Sequence, residues 1–166
     1  MTGTPLSDAN VLPGNLLRRC HQISAAIFLR KCEASNLTQL QYIILCALEE
    51  MGPVDQITLG GYTALDRNTI AVVVRKLEER GLVNRRRNPE DRRSMFVSLT
   101  EQGEQLRNDS ESAVAEVQKE ILAPLNENEQ EVLCSLLKRI ADSNNHLSRV
   151  PIRLGGLPRL PANPDK

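Results

Sequence analysis

Residues 65–100 read LDRNTIAVVVRKLEERGLVNRRRNPEDRRSMFVSLT, and the rest of the 166-residue chain is arranged around them. The first part predicts a helix over 68–80, because four apolar residues recur at helical spacing along one side. They are Ile70, Val73, Val74 and Leu77. Gly81 supplies a left-handed stop behind the helix. Good capping residues stand at its start: Asp66, Asn68 and Thr69.

The outward face of this helix carries short side chains, so its backbone can come close to a large partner. Asn68, Val72 and Arg75 lie opposite the apolar stripe, with Ala71 at its margin. An α-helix fits the major groove of DNA, where Asn and Arg read base edges and apolar side chains contact the thymine methyl group. Taken alone, the same pattern also fits an ordinary surface helix.

An arginine-rich hairpin follows the helix. Residues 82–83 and 95–99 are predicted to form two strands around a loop at 84–94, with turn-forming residues at 88–91. Five arginines crowd this loop: Arg85, Arg86, Arg87, Arg92 and Arg93. A solvated run of charges is one interpretation. A hairpin with an arginine tip directly after a candidate recognition helix is, however, typical of a winged helix, whose tip places an arginine in the minor groove.

These residues resemble the MarR family of bacterial winged-helix transcription regulators, over roughly residues 16–147. The matching motifs are Leu37-Thr38 with Gln41-Tyr42, LEERGLV at 77–83, DRRS at 91–94 and LTEQG at 99–103. The resemblance implies that Arg93 enters the minor groove and that Asp91 holds it in place. Family members often carry a polar residue followed by arginine where this chain has Ala71 and Val72. Base reading is therefore expected to depend on Asn68, Thr69 and Arg75, together with methyl contacts.

Three further helices indicate a second, dimer-forming part of the fold. The helix predicted over 13–34 is apolar on two sides, as expected for a helix that lies between two bodies, one of which can be a partner chain. Helices over 100–122 and from 126 onward are also too apolar to stand free. A shorter helix predicted at 56–61 contains Gly60 and Gly61, each of which costs on the order of 1 kcal/mol relative to alanine. Either this helix ends early, or close packing against the recognition helix requires the missing side chains.

We therefore predict a mostly α (α+β) fold, in which a winged helix-turn-helix with a small β-hairpin wing is flanked by N- and C-terminal helices that form a dimerisation region. The expected parts are a loose arm (1–12), dimerisation helices (13–36 and 100–148), a DNA-binding domain (37–99) and a Pro-rich tail (149–166). A homodimer would set two recognition helices about one helical turn apart, roughly 10 base pairs, on a pseudo-palindrome of double-stranded DNA. The expected DNA contacts are Arg67, Asn68, Thr69, Ala71, Val72, Arg75, Arg86, Asp91, Arg92 and Arg93.

Charge is unevenly distributed along the chain. The totals cancel, with 21 basic and 21 acidic residues, which by itself argues against a nucleic-acid binder. Residues 67–93, however, hold nine basic and four acidic side chains, while the remainder holds twelve and seventeen. A positive patch on a negative body suits a protein that meets phosphates with one face.

Other classes of protein find little support in the sequence. The four cysteines (Cys20, Cys32, Cys46 and Cys134) show no CxxC pairing and are accompanied by two histidines, so neither a zinc site nor a disulfide framework is expected. No nucleophile elbow, phosphate loop or paired-carboxylate pattern indicates an enzyme. We expect no cofactor, no membrane span and no signal peptide, and hence a cytoplasmic protein.

The resemblance also implies a small-molecule effector, because family members commonly bind small aromatic or phenolic acids between the dimer helices and the winged helix. The residues that could hold such an acid are Arg18, Arg19, His21, Tyr42, Cys46 and Tyr62. A hydrogen-bonded histidine in the interface is the structural alternative for His21, and plain core is the alternative for Tyr42. Residues 18–22 loosely resemble regulators of aromatic and nicotinate-type acid breakdown. The expected function is a repressor released from its operator by an aromatic or heteroaromatic carboxylate.

Two alternatives stay open from the sequence. The first is a thiol-based redox-sensing repressor that uses Cys20, which lies between Arg19 and His21. Neighbouring residues do not face one another on a helix, however, and Cys20 falls on the aliphatic stripe, so a buried inert thiol is the expected state. The second is a winged helix that binds only protein, and the arginine-rich wing argues against it.

Overall fold

The computed structural model describes residues 5–87 and 95–153, excluding the side chains of residues 6 and 7. The helices within these ranges are α1 (Leu6–Ala9), α2 (Pro13–Lys31), α3 (Gln39–Met51), α4 (Gln56–Thr63), α5 (Arg67–Glu79), α6 (Glu101–Leu122) and α7 (Glu127–Ser143). The strands are β1 (Val54–Asp55), β2 (Val83–Arg87) and β3 (Met95–Leu99), and a 3-10 turn at Asn145–Leu147 follows α7. The mostly helical architecture with a small antiparallel sheet is the one predicted.

Local sequence signals set where most helices begin. Thr38 and Asn126 each form a capping box with the residue three positions later, Gln41 and Glu129, as the sequence predicts for both. Asp66 caps α5, and Gly81 after its end has a φ of +70°, so the predicted left-handed stop is confirmed. The helix predicted over 13–34 ends earlier, at Lys31, and the arm predicted to be loose contains one helical turn, α1.

The hairpin is more regular than the sequence suggested. Strand β2 pairs with β3 in antiparallel register from Val83 opposite Leu99 to Arg87 opposite Met95. Three arginines assigned to the loop, Arg85 to Arg87, therefore lie in a strand, because pairing with β3 overrides the weak strand propensity of an arginine run. Strand β1 was not predicted, since two residues are too few to show alternation. It pairs with the other edge of β3, which gives the sheet order β1-β3-β2.

The core is aliphatic, as the low aromatic content predicts, and it lies where α3, α4 and α5 meet the sheet. The stripe of α5 predicted to be buried is buried at all four positions. The fully buried side chains around it are Leu37, Ile44, Leu45, Leu48, Leu59, Leu82, Val54, Val83, Val97 and Val117. This packing fixes which face of α5 points outward.

Three glycines lie at close contacts, against backbone at Gly60 of α4 and Gly103 of α6, and against a side chain at Gly61 of α4. A Cβ on Gly60 would lie 2.8 Å from the Leu65 carbonyl oxygen at the entry to α5, and one on Gly61 would lie 2.9 Å from Nε of Arg153. The helix runs on past both to Thr63, so it does not end early. Close packing against the recognition helix is confirmed for Gly60, whereas Gly61 faces the Arg153 side chain and not that helix. In α6, a Cβ on Gly103 would overlap the Leu82 carbonyl oxygen.

Helices α2 and α7 present apolar faces that no element covers within residues 5–87 and 95–153. The exposed apolar residues on these helices include Leu16, Leu17, Ile23, Val132, Leu136, Leu137 and Ile140. No residue of α7 is buried, although its apolar positions recur in helical register. In the part of the chain that the structure describes, no helix is long and apolar enough to cross a bilayer.

Gly103→Ala is expected to destabilise the fold by about 1–3 kcal/mol, the typical cost of overpacking. The added methyl group would meet the Leu82 backbone, which is anchored by its hydrogen bond from the Thr100 N–H and cannot give way as a flexible side chain would. Gly14→Ala in α2 is the matched control, because nothing lies within 4 Å of its Cβ position. It should be neutral or stabilise by up to about 1 kcal/mol. Urea unfolding at one protein concentration measures both, and equal midpoints for the two variants would contradict the packing argument.

Candidate DNA-binding surface and effector groove

The first turn of α5 is fixed by the carboxylate of Asp66. Its Oδ1 accepts the backbone N–H groups of Asn68 and Thr69 at 3.0 Å each, and its Oδ2 accepts the Thr69 hydroxyl at 2.8 Å. The hydrogen bonds from Thr69 lower the pKa of Asp66, and the positive charge of Arg149 contributes further in the same direction. Thr69, predicted as a DNA contact, therefore uses its hydroxyl within the cap.

The outward face of α5 is open to solvent along its length. Five predicted DNA contacts share this exposure: Arg67, Asn68, Ala71, Val72 and Arg75. Arg75 is held only loosely by Glu79, with 3.9 Å between Nε and the carboxylate oxygen. Because the opposite face is locked in the core, these side chains point away from the protein. The face offers amide and guanidinium donors beside small apolar groups, which are the chemical elements of major-groove reading.

The base of the wing is tied to the recognition helix. The Arg85 side chain is half-buried, and its Nε donates to Oε2 of Glu78 at 2.7 Å. Arg85 therefore has a structural role, whereas Arg86 is exposed on the strand. The predicted contacts Asp91, Arg92 and Arg93 lie outside the described residues.

The other end of α5 is tied to the loop that follows α2. Arg80 donates from its two terminal nitrogens to the carbonyl oxygens of Asn36, at 2.7 Å, and Ser35, at 2.8 Å. Sequence analysis placed Arg80 in a family motif without assigning it a role. The structure shows that it joins the end of the recognition helix to the first long helix of the predicted dimerisation region.

A groove of about 400 Å³ lies between α2, the start of α3 and α5. Its lining is mostly apolar, with two side chains that can carry positive charge, His21 and Lys76. The apolar contributors include Ala25 and Leu29 on α2, Leu40 on α3, and Val72 and Val73 on α5. An apolar groove beside nitrogen donors suits an aromatic carboxylate, and one wall of this groove is formed by α5.

The other predicted ligand residues do not share this groove in the single chain. Arg18 donates to Gln22 at 3.1 Å along the exposed face of α2, and Arg19 is also exposed. Tyr62 is half-buried on α4, with the Arg153 guanidinium 5.9 Å from its ring centroid. His21 is thus the predicted ligand residue that lines the groove. Lys76 was missed, because a lysine between an apolar stripe and an exposed face reads as ordinary helix surface.

Tyr42 and Cys46 lie together on α3, near Phe28 of α2 and Arg107 of α6. The Tyr42 ring is 6.2 Å from that of Phe28, and its hydroxyl hydrogen-bonds the Cys46 thiol. Burial raises the pKa of Tyr42 to about 12, and burial also raises the pKa of Cys46. Arg107 of α6 lies close by, paired with Glu49 and Glu111. These features match the structural alternative for Tyr42, a residue packed in the core.

Cys20 is exposed in the single chain, so the expectation of a buried thiol is wrong at this level. It lies on the face of α2 that also leaves Leu16, Leu17 and Ile23 exposed. The sequence pattern correctly placed Cys20 on an apolar stripe, but that stripe faces outward and does not enter the core of its own chain.

Comparison with known proteins gives consistent matches. The model of the MarR family matches residues 37–95. The HTH-type transcriptional repressor NicR of Pseudomonas putida is 35% identical over 139 residues, which cover 84% of this chain and 88% of the repressor. The structure of Bordetella bronchiseptica BpsR, whose DNA binding is regulated by 6-hydroxynicotinic acid, is 31% identical with a TM-score of 0.74, covering 80% and 95% of the two chains. The Streptomyces coelicolor transcriptional regulator PcaV, in complex with its natural ligand, is 34% identical with a TM-score of 0.73, covering 86% and 99%.

The Asp66 cap predicts a specific pH dependence of stability. Because its pKa is lower in the folded state than in the unfolded chain, the charge stabilises the fold at pH above the ordinary carboxyl pKa, and this contribution disappears as pH falls through the folded pKa. Asp66→Asn keeps a good cap without the charge. The variant should unfold at lower urea than the parent at pH 7, and the difference should shrink on acidification toward pH 3. A difference that is constant from pH 7 to pH 3 would contradict a role for the charge.

Proposed function

Since the chain belongs to the MarR family of transcription regulators, which are not enzymes, we propose that it is a homodimeric repressor released from its operator by a small aromatic or heteroaromatic carboxylate. The observation that carries this proposal is that one helix, α5, contributes to both the candidate DNA-binding surface and the groove. The exposed face of α5 offers the DNA-reading groups, and Val72, Val73 and Lys76 of the same helix line the groove.

DNA binding is supported by the outward face of α5 and by the charge of the region around it. Asn68 and Arg75 are exposed on this face and would read base edges, while Ala71 and Val72 would contact thymine methyl groups. Arg67 and Arg86 are exposed for phosphate contacts. In this proposal Arg92 and Arg93 of the wing contact DNA. Arg93 enters the minor groove, and Asp91 holds it in place.

The dimer is supported by the uncovered apolar faces of α2 and α7. Seven large apolar side chains are exposed along these two helices, and large exposed apolar patches are typical of protein–protein interaction sites. A second copy of the chain would cover them and would hold two DNA-binding domains at a fixed spacing. The proposed division is 13–36 and 100–148 for dimerisation and 37–99 for DNA binding.

The effector is supported by the groove and by the relatives. BpsR responds to a heteroaromatic acid, and the groove here offers an apolar slot with His21 and Lys76 at its edge. A bound carboxylate would pair with these side chains while its ring contacts Leu29, Leu40 and Val72. If the acid fits one spacing of the two domains better than the DNA-bound spacing, DNA affinity falls by the ratio of the two ligand affinities.

Replacing Asn68 or Arg75 by alanine is expected to weaken binding to DNA from the upstream region of its own gene by about 5- to 150-fold, since a base-reading contact contributes roughly 1–3 kcal/mol. Binding to unrelated DNA should change much less. Fluorescence anisotropy with labelled duplexes measures both affinities. Lys119→Ala on α6, where the lysine pairs with Glu116 of its own helix, is the control and should leave both unchanged. Equal losses on the two duplexes would contradict base reading by α5.

The effector prediction uses a matched pair of probes. 6-Hydroxynicotinate should release the protein from its operator, whereas 6-hydroxynicotinamide, which lacks the carboxylate, should be at least about tenfold less effective, because hydrogen bonds to a charged group contribute roughly 1.5–3 kcal/mol. His21→Gln should raise the concentration needed for half release by about tenfold with little change in DNA affinity. His146→Gln, at the other histidine of the chain, is the control.

The same assay tests the thiol alternative. Cys20 is exposed in the single chain, and the proposed dimer would cover the face of α2 on which it lies. Release by dilute peroxide that is abolished in Cys20→Ser, together with no response to other aromatic acids, would replace ligand control by redox control. An acid response unchanged in His21→Gln would move the effector away from this groove. Absence of DNA binding at every salt concentration would leave a winged helix that binds only protein.

A further inference from the structure

The segment 149–153 after α7, with the sequence RVPIR, is held in a defined shape although it forms no helix or strand. The Asn145 side chain makes hydrogen bonds to both backbone polar groups of Ile152. Its Nδ2 donates to the Ile152 carbonyl oxygen at 2.9 Å, and its Oδ1 accepts the Ile152 N–H at 2.8 Å. Ser148 makes two similar contacts with the backbone of Val150. The segment is therefore a built element rather than a loose end.

The segment contacts α4 of the DNA-binding domain at Gly61 and Tyr62, which together are called the seat below. The Arg153 N–H donates to the Gly61 carbonyl oxygen at 3.0 Å. The Arg153 side chain then crosses Gly61, where a Cβ would lie 2.9 Å from its Nε, and its guanidinium lies over the Tyr62 ring. Gly61 thus has a specific use, since it leaves room for an arginine contributed by the far end of the chain.

The seated segment lies on the side of the molecule that carries the outward face of α5. Val150, Pro151 and Arg153 line a cavity of about 590 Å³ together with Arg67 and Ala71, two of the proposed DNA contacts. The pKa of Asp66, the cap of α5, is lowered by its hydrogen bonds from Thr69 and further by the positive charge of Arg149. The segment, which contains no acidic residue, thus brings exposed Arg153 into the cavity that Arg67 also lines, and exposed Arg149 within electrostatic reach of Asp66.

We propose that the segment 149–153 is a second part of the DNA-binding surface, in which Arg149 and Arg153 contact backbone phosphates beside the major groove that α5 enters. This inference rests on the proposed function. The first helix of a helix-turn-helix crosses the DNA backbone, so an arginine seated on α4 lies where a phosphate passes. A guanidinium stacked on a ring keeps its edge free for hydrogen bonds to an anion.

The charge of the segment decides between this role and that of a cover over α5. A cover that competes with DNA would have to leave when DNA arrives, and acidic residues would favour that by repulsion. Two arginines have the opposite effect, because they are attracted to the same phosphates as Arg67. The segment is accordingly assigned to the DNA-bound state as well as to the free protein.

The test is the salt dependence of DNA affinity for the double variant Arg149→Gln/Arg153→Gln. Removing one phosphate contact should lower the slope of log affinity against log salt by about 0.9, so the slope of the double variant should be shallower by roughly 1.8. Affinity should fall by about tenfold or more, to a similar degree on operator and unrelated DNA, because phosphate contacts carry no sequence information. Arg149→Lys/Arg153→Lys should restore most of the slope, and Lys119→Gln should leave it unchanged.

The other outcomes separate the possible errors. An unchanged slope with weaker operator binding would overturn the proposal and leave the segment as a support for the position of α5. Tighter binding by the double variant would also overturn it and would identify a cover. If the unaltered protein binds no DNA at any salt, the proposed function itself fails, and the phosphate contacts fail with it. Amide hydrogen exchange checks the seat independently, since Asn145→Ala should remove protection of the Ile152 N–H and leave α5 protected.

Discussion

Burial of one aliphatic stripe of α5 is the constraint on which the rest of this structure depends. Ile70, Val73, Val74 and Leu77 are at most 9% exposed, and each such side chain contributes roughly 1.5–3 kcal/mol relative to an exposed position. The stripe fixes the rotation of the helix about its axis. That rotation puts Asn68 and Arg75 outside, Val73 and Lys76 into the groove, and Glu78 within reach of Arg85 in the wing. Burial of this one stripe therefore positions the proposed DNA contacts, one wall of the proposed effector groove and the base of the wing.

The same helix is tied at both ends to neighbouring elements of the fold. At its C-terminal end Arg80 holds the loop after α2 through two carbonyl oxygens, and α2 also supplies His21 to the groove. Before its N-terminal end the Leu65 N–H donates to the Gly60 carbonyl oxygen of α4 at 3.0 Å. A ligand that shifts α2 against α5 would work against these ties. Because packed interfaces have few alternative arrangements, a small local shift becomes a change in the position of the whole helix.

Many of these elements could be predicted from the sequence, and those that could not be predicted have physical reasons. The α5 stripe, the capping boxes at Thr38 and Asn126 and the stop at Gly81 are local patterns, and all are confirmed. Strand β1 and the extension of β2 through Arg87 depend on pairing with β3, which local propensity does not contain. Lys76 and the seat of Arg153 depend on contacts between distant elements. The exposure of Cys20 depends on which side of α2 its own chain covers. The effector residues and the wing tip stay predictions.

The segment 149–153 and the DNA-binding region share a basic character that the rest of the chain lacks. Residues 67–93 and 149–153 together hold eleven basic and four acidic side chains, and the rest of the chain holds ten and seventeen. A neutral protein is thus divided into a basic surface and an acidic body, so DNA is attracted to one side and repelled from the other. This division orients the protein before any base is read. The segment after α7 adds two arginines to the basic side although like charges repel, so its position depends on the contacts of Arg153 with Gly61 and Tyr62 of α4 and not on attraction between charges.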